Sequence, residues 1–172
     1  MSDDQSHDPI RSDFIEKTGL TAQADGLPRI AGRVFGMLIY DGDAVSFGDL
    51  ATKLQVSRAS ISTSIRILEE RGLVKRMTKP GERGDFFQLA PNPYATMLEG
   101  IQKRNRAIQE DITETIQSLP ETADAVGRLK AHADFYATLD AAVALALGQI
   151  NSSTETKQGQ QPAAPKDQTD DQ

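Results

Sequence analysis

The chain has 172 residues, 38% of them hydrophobic, with 19 Lys and Arg against 25 Asp and Glu for a net charge of −6. That suits one ordinary domain with extensions, and a core of that size folds without staples. The absence of cysteine excludes disulfides, thiolate metal sites and thiol redox sensing within this chain. In chain order, the acidic start MSDDQSHDPI is the opposite of an export signal. The longest apolar run, residues 141–147, falls far short of the ~20 residues a membrane span needs. A cytoplasmic protein without a membrane partner is therefore expected. Residues 1–8 read as a disordered lead, and Phe14, Ile15 and Leu20 suggest a short amphipathic helix ending near Ala24.

GLPRIAGRVFGMLIY then sets Pro28 at a helix start and apolar residues at most later positions, giving a buried helix that stops at DGD, residues 41–43. In SFGDLATKLQV, Ser46 followed by Asp49 reads as a capping box, with Phe47, Leu50 and Leu54 buried. A turn at Gln55–Val56 leads directly to a second helix capped by Ser57 and ended by Gly72. Beyond it, LVKRMTK (73–79) and DFFQLA (85–90) flank PGERG and predict a β-hairpin. Helix, helix-turn-helix and hairpin in that order predict a winged helix-turn-helix over residues 26–90. The fold class is mainly α with a small β-hairpin, followed by long C-terminal dimerisation helices.

From Tyr94 a ladder with spacing four and three runs through Leu98, Ile101, Asn105, Ile108, Ile112, Thr115 and Leu119 to Pro120. A second ladder takes Val126, Leu129, Ala133, Tyr136, Asp140, Val143, Leu147 and Ile150. Such sustained patterns argue for helices that pack on each other and on a partner chain, with Asn105 as a polar register residue. Residues 151–172 hold no aliphatic side chain larger than alanine and read as a disordered tail. The expected organisation is a lead and short helix (1–25), a DNA-binding domain (26–90), a helical dimerisation region (91–150) and the tail (151–172).

The segment SRASISTSIRILEERG carries the functional argument. Ile61, Ile65 and Leu68 recur at one-face helical spacing, while Ser57, Ser60, Ser62, Thr63 and Ser64 are mediocre helix formers. Small residues let a helix backbone approach the floor of the major groove. Hydroxyls reach phosphates and base edges, and arginine reads guanine in bidentate fashion. The candidate contacts on this helix are Ser57, Arg58, Ser60, Ser62, Thr63 and Arg66. Lys75, Arg76, Lys79 and Arg83 make the hairpin a basic wing whose tip suits the narrow minor groove. From Lys53 to Arg83 the basic residues Lys53, Arg58, Arg66, Arg71, Lys75, Arg76, Lys79 and Arg83 face only Glu69, Glu70 and Glu82, a local net of +5 in an acidic chain.

Residues 26 to about 90 resemble the winged helix-turn-helix of the MarR superfamily, closest to its GbsR-like branch, through the PRIAGR opening helix, the VSRASIS recognition helix and the PGERGDF wing. The resemblance implies a bacterial homodimeric transcriptional regulator, usually a repressor, joined through its N- and C-terminal helices. It would bind double-stranded DNA at a pseudo-palindromic operator with half-sites about one helical turn apart. It also implies that Arg58, Ser60, Ser62, Thr63 and Arg66 meet bases and phosphates, with Arg83 as the wing contact. Release by a small-molecule effector is compatible with it. For choline-type effectors of that branch an aromatic cage is needed. Tyr40, Tyr94, Phe135 and Tyr136 are the candidate lining, although ordinary packing explains them more simply.

No enzyme is expected, and no cofactor or metal. His7 lies in the lead, His132 stands beside a single nearby Asp, and PGERGDF lacks the Gly-Lys-Ser/Thr of a phosphate loop. The competing class is a winged-helix module that binds proteins and not DNA. Salt dependence of DNA affinity separates the two.

Overall fold

The computed structural model describes residues 4–158. The elements are α1 (Asp4–Ala24), α2 (Arg29–Asp41), β1 (Val45–Ser46), α3 (Phe47–Leu54), α4 (Arg58–Glu70), β2 (Val74–Met77), β3 (Phe86–Leu89), α5 (Pro93–Gln117) and α6 (Ala125–Gln158). The chain divides into two compact units at Gly100/Ile101.

In the first unit α2 is the central helix. Its Ala31, Val34, Met37 and Leu38 join Leu50 of α3, Ile61, Ile65 and Leu68 of α4, and Phe87 of β3 in a core with almost no solvent contact. Each of these side chains larger than alanine contributes about 1.5–3 kcal/mol by leaving water. The mainly helical fold also carries a small antiparallel sheet in the order β1-β3-β2, with Arg76 opposite Phe87 and Met77 opposite Phe86. The hairpin expected from the sequence therefore supplies the central strand β3 and one edge strand, β2, of a three-stranded sheet. Its third member, β1, is only two residues long, pairing Val45 with Phe87 and Ser46 with Phe86.

The predicted N-caps form, with the Asp49 carboxylate meeting the Ser46 hydroxyl where a full capping box would meet its backbone N–H. Ser46 Oγ accepts from the Asp49 N–H at 3.1 Å and donates to Asp49 Oδ2 at 2.8 Å. Ser57 Oγ accepts from the Ser60 N–H at 3.1 Å. Gly72, at φ 66°, takes the left-handed conformation that lets the chain leave α4 and enter β2. Its Leu73 N–H bonds back to Leu68 O at 2.9 Å.

Helix α1 is longer than the short helix expected. It starts at Asp4 and contains Pro9, so the described part of the lead is helical. The proline is the sixth residue of the helix, just past the four initial positions whose N–H groups lack an intrahelical acceptor, so it removes only one bond. Polar bridges tie α1 to α2. Arg11 makes a bidentate pair with Asp41 at 2.6 and 2.7 Å, and Glu16 meets both Arg29 at 2.8 Å and Arg33 at 2.6 Å. The Asp41 hydrogen bond raises the Arg11 pKa further above its ordinary value. Arg33 Nη2 in turn donates to Leu54 O at 3.0 Å, which links the PRIAGR segment to the last residue of α3.

In the second unit the α6 ladder is buried or half-buried at every position from Val126 to Ile150, Asp140 included. On α5 the pattern holds at Asn105, Ile108 and Ile112. It then shifts by one, so that Ile116 is sheltered and Thr115 exposed. Arg106 Nε donates to Asp140 Oδ2 at 3.4 Å, while Asn105 Nδ2 and Asp140 Oδ1 are buried without a partner. Helix α6 also continues to Gln158, past the boundary expected at Ile150. A helix already nucleated propagates through polar residues at little cost, and Ser152 and Ser153 bond back to Gly148 O and Gln149 O. The remainder of the expected tail, residues 159–172, lies outside the described residues, as do residues 1–3.

Asn105→Leu is expected to raise the thermal midpoint, since it removes an unpartnered buried amide that costs about 1–3 kcal/mol. A lower midpoint in a melting experiment would show that a second chain supplies the missing acceptor.

Candidate nucleic-acid interface

The turn between α3 and α4 is tight because Gln55 adopts a left-handed conformation at φ 53°, with its N–H and that of Val56 closing on Thr52 O and Ala51 O. Asn, Asp and Gly are commoner in that conformation, and glutamine here bears a small local strain. The turn throws α4 forward with Ile61, Ser64, Ile65 and Leu68 inward. Arg58, Ala59, Ser62, Thr63, Arg66 and Glu70 consequently form the exposed stripe. Five of the six are small or cationic, and the only carboxylate stands at the far end.

The individual candidates are not equivalent. Arg58 is exposed, and its Nη2 lies 3.7 Å from where a Cβ on Gly48 would stand, so the guanidinium rests over the start of α3. Arg66 is exposed and makes only a loose 4.0 Å pair with Glu70. Ser60 is half-buried, with its hydroxyl 2.9 Å from that of the capping Ser57. Those two hydroxyls serve the helix start, whereas Ser62 and Thr63 face outward.

On the wing, Lys75 and Arg83 are exposed and take part in no ion pair among the described residues. Lys79 is half-buried, its Nζ 3.4 Å from Ala44 O and 4.5 Å from the centre of the Phe86 ring. Arg76 is fully engaged. Nε and Nη2 hold both oxygens of Glu69 at 3.1 Å, Nη1 holds Asp85 at 2.8 Å, and the guanidinium lies 5.3 Å over Phe87. The hydrogen bonds to Glu69 raise the Arg76 pKa. Sequence reading missed Glu69 and Asp85 as members of this group. Opposite charges flanking Arg76 at a helix end and a strand start were the available signal.

The four aromatic candidates belong to both units. Tyr40 contacts Phe14 at 5.9 Å and lines an open cleft of about 1310 Å³ with Arg11, Asp41, Asp43, Lys53 and Lys79. Tyr94 is half exposed on the first turn of α5. Phe135 and Tyr136 meet edge to face at 5.3 Å, with His132 5.2 Å from Tyr136. Neighbours on one helix point in different directions, so this pair does not by itself make two walls of a cage. Among the described residues no His, Asp or Glu cluster is arranged to hold a metal, and no helix is long and apolar enough to cross a membrane.

A sequence profile of the MarR family matches residues 25–84, the segment from the start of α2 to the wing tip. The chain is 31% identical over 157 residues to the HTH-type transcriptional regulator MmpR5 of Mycobacterium tuberculosis, covering 88% of this chain and 93% of that protein. It is 22% identical over 85 residues to the putative HTH-type transcriptional regulator YvaV of Bacillus subtilis, about half of either chain. A crystal structure of a transcriptional regulator superimposes with a TM-score of 0.66 at 31% identity, covering 84% of this chain and 99% of that one. A capped helix-turn-helix, a basic wing and likeness to MmpR5 along nearly its whole length together place this chain in the MarR family.

Proposed function

We propose that the protein is a homodimeric, sequence-specific DNA-binding repressor acting in the cytoplasm, with α4 in the major groove and the wing tip at the minor groove. The observation that carries this reading is the exposed stripe of α4. Arg58, Ala59, Ser62, Thr63 and Arg66 combine close approach, hydroxyl donors and two guanidinium forks. A solvated face of no function would be built from Glu, Lys and Gln, which have better helix propensity. Lys75 and Arg83 add exposed charge on the wing. The names of MmpR5 and YvaV support a regulator in place of an enzyme. Repression, a pseudo-palindromic operator and a place in the GbsR-like branch follow from the resemblance of PRIAGR, VSRASIS and PGERGDF. An effector bound near Tyr40, Tyr94, Phe135 or Tyr136 is part of the same reading.

The test is a fluorescence titration against the upstream intergenic DNA and a scrambled duplex at two salt concentrations. Tight binding to the native fragment that weakens steeply with salt is the expected result. Arg66→Ala or Arg58→Ala should weaken it by about 1–3 kcal/mol where that arginine pairs with a base. Unchanged affinity in both variants overturns the assignment of α4. Equal, weak binding of both duplexes favours a winged helix whose partner is a protein.

A further inference from the structure

We propose that Arg76 is a positioning residue, which clamps the wing to the end of the recognition helix and makes no phosphate contact of its own. The inference rests on the DNA-binding reading above and reassigns one of its basic residues. Three contacts carry it. The guanidinium spans Glu69 in the last turn of α4 and Asp85 where the chain enters β3, and it stacks on Phe87 in the centre of the sheet. Glu69 and Asp85 lie on opposite sides of the α4–wing junction, so one planar cation fixes the angle between the two parts that would enter adjacent grooves.

The charge balance points the same way. Two carboxylates surround one cation, so the cluster carries a net negative charge. A phosphate approaching Arg76 would meet both carboxylates or have to displace one. Isolated surface pairs are worth little, but a bidentate fork within a network is the case in which geometry counts. Lys75 and Arg83, by contrast, have no such partners among the described residues and remain available to a phosphate.

The carboxylates make the clamp testable, because electrostatics and positioning predict opposite signs. Glu69→Gln and Asp85→Asn each remove a negative charge from a surface that faces DNA. If Arg76 touched a phosphate, either change would free it and tighten binding. As a clamp, each should weaken binding about fivefold, and Arg76→Lys should match them, since lysine keeps the charge but loses the fork. The probe is a fluorescent duplex selected from random DNA by the wild-type protein. Arg76→Lys should cost less than about fivefold when added to Arg83→Ala, because part of what the clamp positions is then already gone.

A second measurement needs no DNA. The chain has no cysteine, so Glu70→Cys and Glu82→Cys accept a spin-label pair that reports the distance between α4 and the wing tip. The distance distribution should be narrow in the otherwise wild-type protein and broad once Glu69→Gln is added. An unchanged distribution, or tighter binding by the carboxylate variants, overturns the proposal while leaving DNA binding intact. A wild-type protein that selects no duplex overturns the DNA reading, and the role assigned to Arg76 falls with it.

Discussion

Gly32→Val is expected to lower the denaturation midpoint sharply and to weaken DNA binding along with it. A Cβ at Gly32 would lie 2.4 Å from Ala22 Cβ, 2.8 Å from Thr18 O and 2.9 Å from Gly19 Cα. Two of those three neighbours are backbone atoms of α1, which no rotamer change can move. One turn later a Cβ at Gly36 would stand 2.8 Å from Thr18 Cβ. Helices α1 and α2 are thus in contact through glycines and small side chains, and any added carbon forces them apart. Overpacking costs about 1–3 kcal/mol where neighbours can yield, and rigid neighbours put this site at the upper end. Separation would also stretch the Glu16–Arg33 contact, and Arg33 holds Leu54 O at the turn that aims α4. Gly127→Ala is the control. It lies in the first turn of α6 with nothing within 4 Å of the added carbon, and alanine there should stabilise slightly, by less than the ~0.5–1 kcal/mol of a mid-helix glycine. Chemical denaturation of both variants checks the pair, and equal effects would refute the close-contact argument.

The features legible in the sequence are those written in local chemistry. Ser46, Ser57 and Gly72 mark their helix ends because a cap needs only its own turn. The inward stripe of α4 follows from one period. The features that stayed hidden depend on partners distant in sequence. Strand β1 has two residues and no alternation of its own, and it exists because β3 offers an edge to Val45 and Ser46. Arg76 looks like any wing cation until Glu69 and Asp85 are brought beside it. Ser60 is the local exception, since its 2.9 Å contact with the capping Ser57 lies within one helical turn and leaves its part in reading DNA a proposal. The spacing of Gly32 and Gly36 was visible, but their meaning required α1 to lie against them. On α5 the ladder slips from Thr115 to Ile116 near the end of the helix, where α-helical periodicity drifts from a strict seven-residue repeat.

Serine at Phe135, Leu139 and Leu145 together is expected to convert a dimer into a monomer and to lower operator affinity by about 10²–10⁴-fold, the avidity lost when two sites are no longer linked. Helices α5 and α6 have 25 and 34 residues. Among the described residues of the second unit only Ile112 and Val143 are buried apolar side chains, the other apolar members of both ladders there being half-buried. Half-burial along most of both ladders leaves apolar surface in water that a partner could cover, against the entropy of ordering two helices of such length. At the same time Phe135 is 59% and Leu145 68% exposed, and Leu139, one turn from Phe135, is 37% exposed. Ile10 and Leu20 of α1 are exposed in the same way. Several large apolar side chains left in water on one helix are what a contact with another chain would cover. A second copy fits best, because a two-fold dimer also presents two recognition helices to the two halves of a pseudo-palindrome. Light scattering gives the mass of the variant and titration its affinity. A triple variant that remains dimeric would place the interface elsewhere, with α1 as the next face to change. A monomer that kept full affinity would mean that one α4 and one wing suffice for binding, and that the operator has no need of two-fold symmetry.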